Sequence, residues 1–238
     1  MEAQTHPAHG SIGNQLLAGL SAQDFDRIRA HLEFVALSHR ERLLKPDASA
    51  EYVYFPETGM VSLILSLEDG SVVEVGLVGR EGLVGVLAGL GASRISGGAI
   101  VQMVGSAWRM KTDVLRREIG INPTLHQILL RYVQALFAQI TQSTACNNRH
   151  TLAQRLARWL LMANDCADTD EVNLTHEFLS MMLGVRRPGV TTALRTLRDA
   201  GIITARHGHI LIVDRKRLQA AACECYRTVK EEYDRLMG

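Results

Sequence analysis

Between Arg186 and Arg217 the chain carries eight lysines and arginines, Arg186, Arg187, Arg195, Arg198, Arg206, Arg215, Lys216 and Arg217, against two acids, Asp199 and Asp214. That segment is net +6 in a 238-residue protein whose formal charge is +1. Positive charge gathered on one stretch of a near-neutral chain suits contact with a polyanion, because each neutralised phosphate releases condensed counterions. A guanidinium adds selectivity, since its planar fork can pair with both acceptors of one guanine. Thr191 and Thr192 lie among the arginines and offer a methyl for thymine or a hydroxyl for phosphate. The candidate contacts to double-stranded DNA are therefore Thr175, Arg186, Arg187, Thr191, Thr192, Arg195, Arg206 and His209. The plainer alternative is a solvated basic face.

Those residues need elements to hold them. Thr175 can cap a short helix in which Phe178, Leu179 and Met182 recur at helical spacing, and Gly184 suits a sharp turn after it. A second helix follows, with Pro188 in its first turn, Val190, Ala193, Leu194 and Leu197 as the buried stripe, and Gly201 as its stop. The apolar period then changes: Ile202 to Thr204 and Ile210 to Val213 flank Arg206-His207-Gly208-His209, which predicts a two-stranded wing around a glycine turn. Leu174 to Val213 thus reads as a winged helix-turn-helix. Arg187 starts the second helix, the end that enters a major groove, and Arg206 lies at the base of the wing, where it would follow the backbone.

Upstream, Leu16 to Arg29 predicts a short amphipathic helix with Leu16, Leu17, Leu20, Phe25 and Ile28 on one side. Short runs rich in Val, Ile, Leu and Tyr follow, at 34–37, 42–44, 52–55, 60–67, 72–78 and 100–104, with Asp69-Gly70 as a hairpin signal. They predict a small antiparallel jelly roll. Thr112 can cap a helix over 113–119, and Asn122-Pro123 can open a much longer one. Leu125, Leu129, Tyr132, Leu136 and Ile140 belong to an apolar stripe too wide for a solvent-facing helix. One face can lie on the jelly roll while these residues meet a second copy, giving a two-fold dimer; a wholly intramolecular core helix is the alternative. Asn147 to His150 breaks the pattern and reads as a hinge.

The expected architecture is α+β: a disordered N-terminus at 1–13, a jelly-roll sensor domain at 14–121, a dimerisation helix at 122–146 and a winged helix-turn-helix domain at 147–238. A composition of 47% hydrophobic and 21% charged residues is ordinary for globular domains. No window approaches the roughly 18 consecutive apolar residues of a membrane helix, and the N-terminus lacks the apolar run of a signal peptide. A cytoplasmic protein without a membrane partner is expected. Cys146, Cys166, Cys223 and Cys225 do not repeat the paired spacing of metal sites, so no metal or other cofactor is expected and the four read as reduced thiols; a redox role for Cys223 and Cys225 is the alternative. A cupin-type enzyme would also be a small jelly roll, yet no histidine or cysteine stands between His39 and His126 to ligate a metal from the strands.

The order of parts, with Tyr52-Val53-Tyr54-Phe55 followed by Gly59, the Gly79-Arg80-Glu81-Gly82 turn, Arg155 to Leu161 opening the second half, and Leu174-Thr175 to Gly201 with its wing, resembles the Crp/Fnr family of bacterial transcription regulators. The resemblance runs from about Leu16 to the end, and implies a homodimer that regulates transcription from a near-palindromic operator, with RNA polymerase as a further partner. In that family a Gly-Glu pair engages a cyclic-nucleotide ribose, and an Arg-Ser/Thr-Ala triplet holds the phosphate. Glu81 matches the glutamate, whereas Gly97-Gly98-Ala99 stands in place of the triplet. Glu81, Arg94, Gly97 and Gly98 are thus the effector-pocket candidates, with Arg94 able to substitute only in a rebuilt loop. Loss of the phosphate arginine argues against a cyclic nucleotide and leaves the effector unidentified. A jelly roll that only scaffolds a constitutive DNA-binding regulator is the alternative. The oxygen-sensing branch's N-terminal cysteine cluster has no counterpart, since no cysteine precedes Cys146. In the second helix Arg187 matches the first base-reading arginine, but Pro188 replaces a glutamate and Thr192 a second arginine, so the operator should differ from the best-known one.

Overall fold

The computed structural model describes residues 10, 12–166, 171–206 and 208–238. The expected disordered stretch therefore lies almost wholly outside the described residues, as does His207 of the wing. The chain forms two compact units, residues up to 65 with 77–134, and 66–76 with 135–236. Their division falls inside the long helix, between Gln134 and Ala135, and not at either of its ends.

In the first unit the helix expected over 16–29 is two. Asn14 caps α1 (Gln15–Ala18) by accepting from the Leu17 amide, and Ser21 caps α2 (Ala22–Arg29) by accepting from Asp24. Two capping side chains in one segment favour two starts over one continuous run. The apolar stripe is as read: Leu16, Leu17, Leu20, Phe25 and Ile28 are all buried.

The jelly-roll strands are β1 (Glu33–Leu37), β2 (Arg42–Leu44), β3 (Tyr52–Ser66), β4 (Val72–Val78) and β5 (Gly98–Lys111). They form a five-stranded sheet of order β1-β5-β3-β4, with β2 also on β5. The runs at 52–55 and 60–67 are one strand, because β3 stays paired to β5 through register shifts between Pro56 and Val61. Gly59 makes this possible: its φ is +81°, and a Cβ there would stand 2.6 Å from the Met103 carbonyl oxygen. Leu37, Leu44, Val61, Val78, Val84, Ala99, Val101 and Ala107 form one buried cluster. Across β1 and β5, Arg109 pairs with Glu33 through two bonds of 2.8 and 2.9 Å and lies 4.4 Å over the Tyr52 ring.

A short α3 (Val86–Gly89) precedes β5, and α4 (Thr112–Ile121) follows it. Thr112 is the first residue of α4, not its cap; Lys111 occupies the cap position and makes no side-chain bond there. The next cap is as expected: Asn122 accepts from the Leu125 amide at 3.0 Å, opening α5 (Pro123–Arg149). That helix runs three residues past its expected end, absorbing Asn147 to Arg149 in its last turn.

The second unit contains α6 (Leu152–Asp165), β6 (Glu171–Asn173), α7 (His176–Leu183), α8 (Arg187–Asp199), β7 (Ile203–Arg206), β8 (His209–Ile212), α9 (Arg215–Ala221) and α10 (Cys225–Met237). Thr151 and Gln154 form a reciprocal capping box at the start of α6. The wing has three strands, not two, in the order β6-β8-β7. β6 adds Glu171 to Asn173 against Leu211 to His209, covering an edge that a two-stranded ribbon would expose. Trp159 is buried with its ring centroid 6.4 Å from that of Phe178, edge-on, and its Nε1–H donates to Glu74 at 2.8 Å. Glu74 lies in the hairpin tip at 66–76 that belongs with this unit.

Candidate nucleic-acid interface

The helix-turn-helix is assembled as its sequence pattern predicts. Thr175 accepts from the Phe178 amide at 3.2 Å, Gly184 ends α7 at φ +62°, and Pro188 sits in the first turn of α8. Val190, Ala193, Leu194 and Leu197 are buried. Gly189 brings α8 close to α6: a Cβ there would lie 3.0 Å from the Leu152 side chain. His176 Nδ1 and Thr191 Oγ1, 3.1 Å apart, tie the two helices together at the exposed side.

Packing the apolar stripe turns the other residues of α8 outward. Arg186, Arg187 and Arg195 are exposed on and beside this helix, Arg206 is exposed at the end of β7, and none pairs with an acid among the described residues. Other basic residues are engaged in the domain itself. Arg215 donates to Asn164, Asp165 and the Tyr226 hydroxyl, and Arg217 donates to the Ala200 carbonyl at 2.7 Å. Tyr226 donates in turn to Asp165 at 2.8 Å, and burial with that carboxylate beside it pushes its hydroxyl up to about 12. Arg198 pairs with Asp199 at 3.2 Å. The +6 segment thus divides into a surface that faces solvent and a brace that positions it.

Three expected contacts have partners the sequence did not disclose. Thr191 donates to the Arg187 carbonyl at 3.2 Å and Thr192 to the Pro188 carbonyl at 3.1 Å, so both hydroxyl protons are used within α8. What remains for DNA is chiefly their methyls, since Thr191 Oγ1 also meets His176. His209 lies 2.8 Å from Glu171 across the wing, so that carboxylate competes with any phosphate for it.

In the first unit the effector candidates are engaged differently. Glu81 accepts from the Gly79 amide at 2.8 Å, within its own turn. That turn packs beneath α5, where a Cβ on Gly82 would stand 2.5 Å from the Tyr132 hydroxyl and 2.8 Å from Val78. Arg94 donates to the Asp47 carbonyl at 3.2 Å. Gly97 and Gly98 let backbones meet: their Cβ atoms would be 2.8 Å from the Ile64 carbonyl and 3.2 Å from that of Leu44. A cleft of about 260 Å³ lies nearby, lined by Arg42, Lys45, Glu51, Tyr52, Tyr54 and Ile95 among others, but by none of these four.

The five residues expected between two copies need redistribution. Leu125, Leu129, Tyr132 and Leu136 are buried in the single chain and Ile140 is half-buried. The large apolar residues that α5 exposes are Leu130 at 42% and Phe137 at 67%, seven apart and hence on one side. Periodicity identified an apolar helix but could not say which part of a wide stripe its own chain would cover.

All four cysteines are free thiols, as expected, but three of them are not apart in space. Cys146, Cys223 and Cys225 converge with His150, their ligating atoms all within 4.8 Å of one another. The available signal was Cys146-x-x-x-His150, one helical turn apart, together with Cys223-x-Cys225.

Comparison with known proteins agrees with this arrangement. Residues 34–122 match the cyclic nucleotide-binding domain, and residues 154–221 match the Crp-like helix-turn-helix domain. The chain belongs to the Crp/Fnr family of transcription regulators. Its function is DNA-binding regulation, not enzymatic catalysis. Similar solved folds include FixK2 from Bradyrhizobium japonicum (21% identity, TM-score 0.69, 81% of this chain and 98% of that one). CLP from Xanthomonas campestris, a regulator responsive to c-di-GMP, has 15% identity and a TM-score of 0.66 over 81% of this chain and 99% of its own. A putative cyclic nucleotide binding protein from Ruegeria pomeroyi has 22% identity and a TM-score of 0.62 over 91% and 97%. At these identities the likeness is one of fold. A comparison with curated proteins found no match. Among the described residues, no helix is long and apolar enough to cross a membrane.

Proposed function

We propose that this Crp/Fnr regulator works as a homodimer, inserting α8 of each copy into successive major grooves of a near-palindromic operator. The observation that carries the reading is the row of exposed arginines, Arg186, Arg187 and Arg195, without acid partners among the described residues, at the start of and along a helix whose opposite face is buried. Arg187 is the base-reading residue and Arg206 a backbone contact; Thr175 and Arg186 flank the entry, and Thr191 and Thr192 present their methyls. Two such helices on a two-fold axis would read half-sites roughly 34–36 Å apart. The face of α5 that carries Leu130 and Phe137 is the proposed dimer seam. Sedimentation at micromolar concentration, combined with titration of one and two half-sites, tests this directly. A monomer that binds a single half-site at full affinity overturns it.

Cyclic AMP and cyclic GMP are not the effectors on this reading. Glu81 is turned onto its own loop, and Gly97-Gly98 supplies close strand packing where a phosphate would need a cation. The jelly roll either answers to a different ligand or serves as a scaffold for constitutive DNA binding. Calorimetry with both nucleotides should give no binding in the micromolar range, and a one-to-one isotherm per subunit would reject the reading.

A further inference from the structure

The convergence of Cys146, His150, Cys223 and Cys225 has no part in the DNA-binding reading. Cys146 lies near the end of α5 and His150 just beyond it, one turn further on; Cys223 precedes α10 and Cys225 begins it. The three cysteines are buried, at 0%, 5% and 0% exposure, and His150 is half-buried. Cys146 Sγ stands 3.5 Å from Cys223 Sγ, and Cys225 Sγ stands 3.5 Å from His150 Nδ1.

We propose that these four residues bind one zinc-like divalent cation in a closed tetrahedral Cys₃His site. Bonds of about 2.3 Å to sulfur set the edge of such a tetrahedron at about 3.8 Å, against 3.5 Å for two of the pairs and no more than 4.8 Å for any. Thiolates around an iron–sulfur cluster are held apart by the whole cluster and fit this spacing poorly. Four ligands from the protein leave no open position, which suits a structural clamp fastening α10 to the end of α5.

Two observations besides the ligand set point the same way. His150 Nε2 lies 3.2 Å from Glu224 Oε2, leaving Nδ1 toward the sulfurs. A carboxylate behind the far nitrogen of a ligating imidazole fixes its tautomer and strengthens its basicity. Gln142 Nε2 also donates to Cys225 Sγ at 3.1 Å, an outer-shell bond that orients a ligating sulfur.

The second observation is charge. Arg158, only 7% exposed, reaches Ser143, one turn before Cys146 on α5, and the half-buried Arg155 lies one turn before Arg158 on α6. Neither pairs with a carboxylate among the described residues; Arg158 donates to Ser143 and Met162, and Arg155 to the Leu183 carbonyl. A guanidinium as buried as that of Arg158 requires nearby negative charge. Three thiolates, a neutral imidazole and a divalent cation sum to −1, and would supply it near Arg158.

The test is elemental analysis of the full-length protein purified without chelator, with Co²⁺ exchange as the geometric readout. About one equivalent of zinc per chain is expected, and Co²⁺ should show the intense bands of tetrahedral coordination with thiolate charge transfer. Cys223→Ser with Cys225→Ser should reduce bound metal to background, while Cys166→Ser should leave it at the wild-type level. If the double variant fails to fold, wild-type protein stripped with a chelator and titrated with ZnCl₂ gives the same readout, with a rise in Tm expected at one equivalent. Iron with inorganic sulfide, a Cys146–Cys223 disulfide in place of metal, octahedral cobalt, or zinc retained without Cys223 and Cys225 would each overturn the proposal. None of these results bears on operator binding by Arg187, so the site and the DNA reading stand or fall separately.

Discussion

The turn at Gly79 to Gly82 and the helix at Arg187 to Asp199 both combine glycine with charged residues, yet they use that chemistry in opposite ways. In the jelly roll Glu81 bonds its own loop, Gly82 packs under Tyr132, and Gly97-Gly98 brings strands into contact. In α8 the apolar stripe takes up the burial, so Arg187 and Arg195 face solvent without acid partners among the described residues. A carboxylate that already accepts from its own loop has less to offer a ligand. A side chain held by its neighbours but left unpaired keeps all of its hydrogen-bonding capacity.

Removing the packing under α8 should have the largest effect. Leu194→Ala deletes a side chain 4% exposed in the helix-turn-helix core and should cost about 2–5 kcal/mol of stability in the second unit. DNA binding would be lost with it, and chemical denaturation followed by Trp159 fluorescence would check the loss. Gly82→Val probes the other side of the comparison. Its Cβ would meet Tyr132 and Val78, so a cost of about 1–3 kcal/mol is expected, with unchanged preference among operator variants. Altered base preference in that variant would show that the loop communicates with the reading surface and does not merely pack.

Arg187→Ala should weaken operator binding by about 1–3 kcal/mol and relax preference at one base pair of each half-site, in titrations against an operator library. Unchanged preference would assign Arg187 to the backbone instead. Thr175→Ala removes the cap of α7 and should cost about 1 kcal/mol of stability, measured as a shift in denaturation midpoint. Arg206→Ala should have the smallest and least selective effect: uniform weakening across sequences and a salt dependence flatter by about one unit per subunit.

The legible parts of the sequence were those set by local pattern. Thr175, Gly184, Pro188 and Gly201 delimit helices through cap chemistry and backbone freedom, and the spacing of Val190, Ala193, Leu194 and Leu197 settles which face of α8 is buried. The jelly-roll strands were legible as runs but not as boundaries. Pairing with β5 carries β3 across Pro56 and Gly59, where local propensity predicts a stop.

Local pattern determined that this chain has a strand-rich domain, a long apolar helix and a basic helix-turn-helix, because alternation, helical period and capping act over a few residues. The tertiary structure decided everything that joins distant segments. It divided the basic residues between solvent and the Asp165–Tyr226 brace, and covered Leu125, Leu129 and Tyr132 while leaving Leu130 and Phe137 exposed. It also brought Cys223 and Cys225 to Cys146 and His150 across more than seventy residues of sequence. Spacing along a chain limits how near two groups can come through local structure; only the packing of whole helices determines which distant groups meet.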